Sequence, residues 1–360
     1  MMKIEELDKN FLYTAPDGCV WNFRSADSSP FVLYGVYYDR DEKAYMRIPA
    51  SVGDSLPGSC VKNLSFCTAG GRVRFATNAK NIAIRATYRG LNVMPHMPVR
   101  GPGGYTLTES KDGKYAFKAS MGPAPAGNEK EFEFCLSGIG NGEMKNYVLY
   151  MPLYNDVSAL CIGTEPEAVF QPPAAYKPVP PVLYYGSSIT QGGCASRADN
   201  AYEAYISEWE DVDFINLGFS GNARGEKEMA KYVSGIKSSV YVIDYDYNAP
   251  SVAHLQATHY PFYKIILENN PLTPIVFVTR PNYGFHPDDD DRIKVVRTTY
   301  LRAKKEGDKN VYFISGKNLF GKADALHMTV DGCHPTDLGF YRMAKVIGKT
   351  VHTLLSPSRK

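Results

Sequence analysis

The 360-residue sequence contains no run of about 18 apolar residues, so we expect no transmembrane helix. Its net charge is only +2, and it therefore lacks the strongly basic surface that nucleic acids or anionic membranes attract. Its first residues lack the basic-then-apolar pattern of a secretory signal. We therefore expect a soluble cytoplasmic protein, or a secreted one if a leader has been removed, with neither nucleic acid nor membrane as a partner.

Cysteine is sparse, and its seven copies include no CxxC pair and no histidines at zinc-finger spacing. This spacing argues against a structural zinc site and against a disulfide scaffold. The glycine motifs GxGxxG and GxxxxGK[ST], which bind dinucleotides and nucleoside triphosphates, are missing as well. We therefore expect free thiols, no metal ion and no organic cofactor.

A proline-rich segment divides the chain near its middle. Residues 171–181 read QPPAAYKPVPP, and proline fixes φ and removes a donor, so we predict an extended, semi-rigid connector. Before it, short β-type runs recur between Gly, Asn, Asp and Pro turns, and some alternate apolar with polar residues. These runs lie at 31–38, 71–76, 82–88, 132–136, 147–152 and 159–162. We predict an all-β, jelly-roll-like sandwich over 1–172, a linker over 173–181 and a second domain over 182–360.

In the second half, apolar strand-like runs alternate with helical stretches. The runs are PVLYYG, VDFINLG, VYVIDYD, TPIVFVT and NVYFIS. This alternation predicts an α/β domain in which helices cover both faces of a parallel sheet. The last helix should bury a stripe formed by Leu338, Tyr341, Ala344 and Ile347. Ligands of such sheets bind outside the carboxyl ends of the strands, so functional residues should follow strand ends.

Four positions that follow strands or loops of this sheet carry candidate functional residues. Ser188 follows the first strand in YYGSSITQGG, and a serine nucleophile needs an adjacent base. Gly221 in FSGN and Asn248 in DYDYN follow the next two strands and could donate N–H groups to an oxyanion. In DGCHP, Asp331 precedes His334 by three residues, and a histidine base needs a carboxylate on its other ring nitrogen. Each feature taken alone is an ordinary turn or helix cap.

Taken together and in this order, these residues resemble the SGNH (GDSL-like) hydrolase family. Gly186-Ser187-Ser188 is similar to its GDS block, with Ser187 in place of the usual aspartate. Gly221 and Asn248 match its second and third blocks, although the glycine of the third block is missing, and Asp331 with His334 matches its DxxH block. The resemblance covers roughly residues 180–350. With TAGGRVRF upstream, the sequence is similar to a two-domain bacterial subgroup with an N-terminal β-sandwich.

The resemblance implies a three-layer, flavodoxin-like catalytic domain and an esterase that uses Ser188, His334 and Asp331 through an acyl-enzyme. The N–H groups of Ser188 and Gly221 and the side chain of Asn248 would form the oxyanion hole. We expect a small-molecule or glycan ester as substrate, with a short acyl group such as acetyl. Two alternatives stay open: a non-catalytic carbohydrate-binding or scaffold protein, and an acyltransferase with the same residues.

Four further residues are candidates near this site. Arg197 follows the nucleophile and Arg280 follows the fourth strand, so each is either a substrate contact or part of a structural ion pair. Cys194 and Cys333 lie beside the serine and the histidine in the sequence. They either fill separate packing sites or form a contact, reduced in the cytoplasm and oxidised outside it. The oligomeric state is left open.

Overall fold

The computed structural model describes residues 19–56, 58–123, 130–281, 284–321 and 325–356. The outermost residues of the predicted domains, 1–18 and 357–360, lie outside these ranges. The first half is built mainly of strands. They are β1 Asn22–Ser25, β2 Val32–Tyr34, β3 Tyr37–Asp39, β4 Ala44–Met46, β5 Arg72–Thr77, β6 Ile82–Gly90, β7 Tyr105–Lys111, β8 Lys114–Met121, β9 Glu131–Leu136, β10 Lys145–Tyr150, β11 Asp156–Thr164 and β12 Phe170–Gln171.

Two antiparallel sheets form a sandwich. One has the order β1-β11-β6-β9, and the other has the order β12-β5-β10-β7-β8 with β2 also paired to β5. Their facing side chains share one buried core, to which Ile84 and Leu160 contribute from the first sheet and Phe75 and Leu149 from the second. The short pair β3-β4 lies outside both sheets. Short helices, α1 Ala50–Asp54, α2 Val61–Leu64 and α3 Arg100–Gly103, interrupt the strands.

The second half is a parallel sheet between layers of helices. Its strands are β13 Val182–Gly186, β14 Phe214–Gly218, β15 Val240–Asp244, β16 Ile275–Val278 and β17 Val311–Ile314. Its helices are α4 Ser188–Gln191, α5 Tyr202–Glu210, α6 Lys227–Ser234, α7 Val252–Asn269, α8 Asp289–Lys305 and α9 Asp337–Leu355. Short 3₁₀ turns cover Ala198–Asn200, Asp246–Asn248, Gly316–Asn318 and Ala325–His327.

The strand order is β14-β13-β15-β16-β17, which is 2-1-3-4-5 in chain order, as in flavodoxin-like sheets. The chain reverses direction across the sheet between β13 and β15, and ligands of such folds bind at that point. The predicted fold class, a β-sandwich followed by an α/β domain, is confirmed. The boundaries at residues 172 and 182 stay predictions. None of the helices in the described ranges is both long and apolar enough to cross a bilayer.

The predicted apolar stripe of the last helix is wrong for two of its four residues. Leu338 and Tyr341 are exposed, whereas the buried face of α9 is formed by Phe340, Met343 and Ile347 with their neighbours. Tyr341 packs edge-on against Tyr205 and Trp209 at the surface. The helical period was correct, but the buried face is centred one residue away from the predicted one.

Buried arginines of the sandwich join the two domains. Arg72 in β5 donates hydrogen bonds to the Asp213 carboxylate at 2.6 Å and to the Phe214 carbonyl at 2.8 Å. Its guanidinium lies over the Phe214 ring, 3.7 Å from the centroid, and also faces Tyr176 of the proline-rich segment. A buried charge that loses its partner is costly, so this contact ties the sandwich to β14.

We expect Arg72→Ala to lower the free energy of unfolding by about 3–5 kcal/mol, because it leaves a largely buried carboxylate without its charge partner. Lys62→Ala is the control, since Lys62 pairs with Asp54 at the solvent-exposed surface, where water and salt screen the ion pair, and should contribute little to stability. Urea unfolding of both variants measures the difference. Equal, small losses would show that the Arg72 contact does not stabilise the interface.

Candidate active site

The sequence around Ser188 forms a tight strand-to-helix turn. β13 ends at Gly186, Ser187 caps α4 by accepting the Ile189 N–H at 3.1 Å, and Ser188 is the first helical residue. A side chain at Gly186 would lie 2.1 Å from Thr190 Oγ1 and 2.4 Å from the Asp244 carbonyl, so only glycine fits. Ser187 therefore serves as a helix cap at the position where the family block has aspartate. The turn places Ser188 directly at the carboxyl end of the sheet.

Ser188 lies in hydrogen-bonding contact with the imidazole of His334. The Ser188 Oγ to His334 Nε2 distance is 2.8 Å, and the His334 Nδ1 to Asp331 Oδ2 distance is also 2.8 Å. The second carboxylate oxygen of Asp331 accepts the N–H groups of Cys333 and His334. The loop thus holds the carboxylate, and the carboxylate holds the ring with Nε2 toward the serine.

Asp331 is ionised throughout the neutral range. Partial burial raises its pKa, but the backbone and imidazole N–H groups of His334 and the N–H of Cys333 outweigh this and lower the pKa to about 2. A carboxylate that stays negative can fix the tautomer of the histidine and stabilise its protonated form.

The loop that carries the histidine is tied to the loop that carries the serine. Asp337, in the first turn of α9, accepts the Ser196 N–H at 2.8 Å and also the Ser196 hydroxyl. Thr336 caps the same helix through the Gly339 N–H. These contacts hold the start of α9, and with it His334, against the segment that follows Ser188.

The three candidate oxyanion donors follow the carboxyl ends of three adjacent strands. Gly186 in β13 is paired with Gly218 in β14 and with Asp244 in β15, so the residues that follow these positions share one edge of the sheet. Ser188, Gly221 and Asn248 lie two, three and four residues beyond this level, respectively.

The polar groups of these candidate donors lack hydrogen-bond partners among the described residues. The N–H groups of Ser188 and Gly221 and the side chain of Asn248 form no hydrogen bond with the described residues. Gly221 adopts φ +68°, and no atom lies within 4 Å of the position where its side chain would be. At this edge of the sheet the N–H groups of Ser188 and Gly221 therefore have no partner among the described residues.

Three residues of the sandwich domain complete the site, and the sequence analysis missed all of them. The Tyr154 hydroxyl donates to the Ser188 carbonyl at 3.1 Å. Arg47, fully buried, donates to the Gly218 carbonyl at 2.6 Å and to the Asn216 carbonyl at 3.2 Å, which supports the strand end before Gly221. The His96 ring lies 6.0 Å from that of His334, centroid to centroid. Tyr154, Arg47 and His96 belong to no local sequence motif, and only the packing of the two domains brings them to the site.

The structure places both candidate arginines in ion pairs. Arg197 binds the Asp199 carboxylate through two nitrogens and lies over the Phe117 ring of the sandwich. Arg280 is almost completely buried, 3.6 Å from the Asp289 carboxylate and stacked on Tyr247. The ion-pair alternative therefore describes both contacts.

Cys194 and Cys333 are free thiols with different neighbours. The Cys194 thiol faces the His96 carbonyl at 3.6 Å, whereas the Cys333 thiol lies beside the Tyr247 hydroxyl. Burial raises the pKa of Cys194 to about 12 and also raises that of Cys333, so both are protonated at neutral pH. Among the described side chains, no group of three or more His, Cys, Asp and Glu is arranged as a metal site.

A buried acidic network lies beneath the nucleophile turn. The Tyr202 hydroxyl donates to Thr190 Oγ1 at 3.4 Å, and Thr190 Oγ1 donates to the Asp244 carboxyl group at 3.3 Å. Glu203 adjoins this network and is completely buried. Burial raises the pKa of Glu203 and of Asp244 well above their ordinary values, which favours the uncharged form of both carboxyl groups beneath the Ser188 turn.

Comparison with known proteins gives the family. Residues 179–352 match the GDSL-like lipase/acylhydrolase family, and residues 21–170 match the N-terminus of SGNH hydrolase-type esterases. The chain therefore belongs to the SGNH (GDSL-like) hydrolases and is a carboxylic-ester hydrolase. No curated protein matches it.

Solved structures similar to this chain have the same two-domain architecture. A protein from Bacteroides ovatus, described as a GDSL-like lipase, is 27% identical, with a TM-score of 0.82 over 93% of this chain and 98% of that one. Salicylyl-acyltransferase SsfX3 of a tetracycline pathway is 20% identical, with a TM-score of 0.77 over 94% and 99%. The acetyl xylan esterase Est2A of Butyrivibrio proteoclasticus is 13% identical, with a TM-score of 0.58 over 93% and 99%.

The buried position of Glu203 predicts a pH-dependent stability. Because its folded pKa is raised above the ordinary 4.5, its contribution is complete below about pH 4.5 and is lost as pH rises toward the folded pKa. In Glu203→Gln this loss is absent, so the stability of the variant relative to the wild type should rise by about 1.4 kcal/mol per pH unit between about pH 4.5 and the folded pKa, and stay constant above it.

Thermal unfolding between about pH 4.5 and 8 measures this difference. The control is Glu228→Gln, an exposed acid in the first turn of α6, which should shift stability by a constant amount. A gap between wild type and Glu203→Gln that does not widen with pH would show that Glu203 is ionised in the folded protein.

Proposed function

We propose that this protein is a serine esterase that removes short acyl groups, such as acetyl, from a carbohydrate or another polar alcohol through an acyl-enzyme. The observation that carries the proposal is the continuous chain of hydrogen bonds from Ser188 through His334 to Asp331. A binding or scaffold protein would gain nothing from a serine held against an oriented imidazole. The family assignment supports the reaction class, and the proposal adds the residues and the substrate.

In the first half-reaction, His334 Nε2 takes the proton of the Ser188 hydroxyl as its oxygen attacks the ester carbonyl carbon. The carbonyl oxygen becomes negative and is stabilised by the N–H groups of Ser188 and Gly221 and by the Asn248 amide. When the carbon–oxygen bond to the alcohol breaks, His334 gives its proton to the departing oxygen. The alcohol leaves, and the acyl group remains on Ser188.

In the second half-reaction, His334 takes a proton from water as the water oxygen attacks the acyl carbon. The intermediate collapses, the bond to Ser188 Oγ breaks, and the proton returns to the serine, which releases the acid. The ionised carboxylate of Asp331 stabilises the imidazolium in both halves. An alcohol in place of water would make the protein an acyltransferase, which is the activity named for the structurally similar SsfX3. Location in the cytoplasm stays a prediction from the sequence.

Ser188→Ala and His334→Ala should each reduce kcat by up to about 10⁶, because triad members act as a unit. Hydrolysis of p-nitrophenyl acetate and of acetylated xylose, with circular dichroism to verify folding, measures this loss. The matched controls Ser55→Ala and His352→Ala alter an exposed serine and an exposed histidine and should retain full activity. Retention of more than about a tenth of the activity in Ser188→Ala would remove Ser188 as the nucleophile.

Asn248→Ala should lower kcat by about 10²–10³ with little change in KM, because an oxyanion donor acts mainly in the transition state. Steady-state kinetics on the same two esters separates the two parameters. A change confined to KM would mean that Asn248 binds the substrate in its ground state instead.

A further inference from the structure

One loop of the sandwich domain is fixed directly on the segment that follows the nucleophile. The side chain of Asn155 donates to the Asn92 carbonyl at 3.1 Å and accepts the Asn92 N–H at 2.6 Å. Met97 buries its side chain in the same core cluster as Ile189 and Cys194 of the α/β domain. A side chain at Gly101 would lie 2.1 Å from the Ala195 carbonyl, so the two backbones touch. The loop is therefore held on one side by Asn155 of its own domain and on the other by the α/β domain.

The same loop presents His96 in a rigid turn. The Met97 N–H donates to the Met94 carbonyl at 3.0 Å, which closes a β-turn with Pro95 second and His96 third. Pro98 follows directly, so one proline inside the turn and one after it restrict the backbone. The His96 carbonyl also accepts the Cys194 thiol at 3.6 Å, while its imidazole is exposed. The ring is thus held beside His334, 6.0 Å away between centroids, without taking part in the Ser188 contact.

The chemistry of ester cleavage defines what binds at this place. His334 must give its proton to the oxygen of the departing alcohol, so the alcohol portion lies next to the His334 ring. The carbonyl oxygen instead faces the donors at Gly221 and Asn248. A group adjacent to His334 on another loop therefore faces the alcohol and not the acyl chain.

We propose that the turn 94–97 of the sandwich domain forms the subsite for the alcohol portion of the ester, with the His96 imidazole hydrogen-bonded to a hydroxyl or ring oxygen of a sugar or polyol. An imidazole can donate from one nitrogen and accept at the other, which suits vicinal hydroxyl groups. This inference rests on the proposed esterase function and specifies which part of the substrate the first domain recognises.

The subsite has a consequence for acyl transfer. An alcohol that attacks the acyl-enzyme retraces the path of the departing alcohol, so it must occupy the same subsite. Water needs no such contact. His96 should therefore affect ester cleavage and transfer to sugars, but not hydrolysis of the acyl-enzyme.

The test compares two acetate esters that differ only in the alcohol, monoacetylated xylose and ethyl acetate. His96→Ala should lower kcat/KM by about tenfold for the xylose ester, the effect of one lost hydrogen bond, and by less than about twofold for ethyl acetate. His96→Gln retains a donor and an acceptor and should recover part of the loss. Val93→Ala changes an exposed residue of the same loop and should leave both values unaltered.

Labelling by a fluorophosphonate separates this inference from the proposed function. The probe loses fluoride and no alcohol, so it depends on Ser188 and His334 but should label His96→Ala at the wild-type rate. If wild-type Ser188 is not labelled, the esterase proposal fails and the subsite fails with it.

If labelling is normal but His96→Ala keeps the wild-type preference for the xylose ester, only the subsite is wrong. Equal slowing of both esters and of labelling would likewise overturn it, because His96 would then support the catalytic groups and not the alcohol.

Discussion

The hydrogen bond between Ser188 and His334 joins residues 146 positions apart, and most of the second domain serves to make it possible. Ser188 follows β13, a central strand of the sheet. In the order 2-1-3-4-5 this strand lies where the chain reverses its direction across the sheet. His334 follows β17, the edge strand, so the chain must cross back to the middle of the sheet to reach Ser188. The hydrogen bond between Asp337 and Ser196 holds this segment in place. The two ends of this long chain segment are thus held together by Ser196 and Asp337 as well as by the Ser188–His334 contact.

The site separates acids into two electrostatic environments. Asp331 is close to water and surrounded by N–H donors, so its charge persists. Asp244 and Glu203 lie beneath the serine turn, where burial raises the pKa of both carboxyl groups and so favours their uncharged forms. A negative charge below the nucleophile would oppose the formation of an oxyanion above it. The carboxyl group that is hydrogen-bonded to the imidazole is that of Asp331, whose pKa is lowered instead.

Much of this arrangement could be predicted from the sequence, because parallel strands have apolar runs and end in polar residues at one edge. Ser188, Asp331 and His334 lie in local motifs, which is why they could be named in advance. The hairpin β7–β8 was missed although its turn, Asp112-Gly113 with both φ angles positive, is a favoured hairpin signal. The strands on either side are rich in Thr and Lys and lack the apolar runs that indicated the other strands.

The contribution of the first domain could not be predicted in this way. Arg47, Tyr154 and His96 reach the site from three separate loops, and each acts through contacts between domains that no spacing in the chain encodes. The ion pairs of Arg197 with Asp199 and of Arg280 with Asp289 lie within the α/β domain, and they were open for a different reason: the sequence does not show the direction in which each arginine side chain points.

The close approach of Gly101 to the Ala195 carbonyl limits how this architecture can be recombined. A graft of the α/β domain onto a foreign sandwich would need a residue without a side chain at this point of contact, and a buried cation to replace Arg47. Neither requirement is local to the grafted piece. The two domains are therefore not interchangeable modules. A mutation on one side of the domain interface limits which residues the facing side can carry without loss of packing.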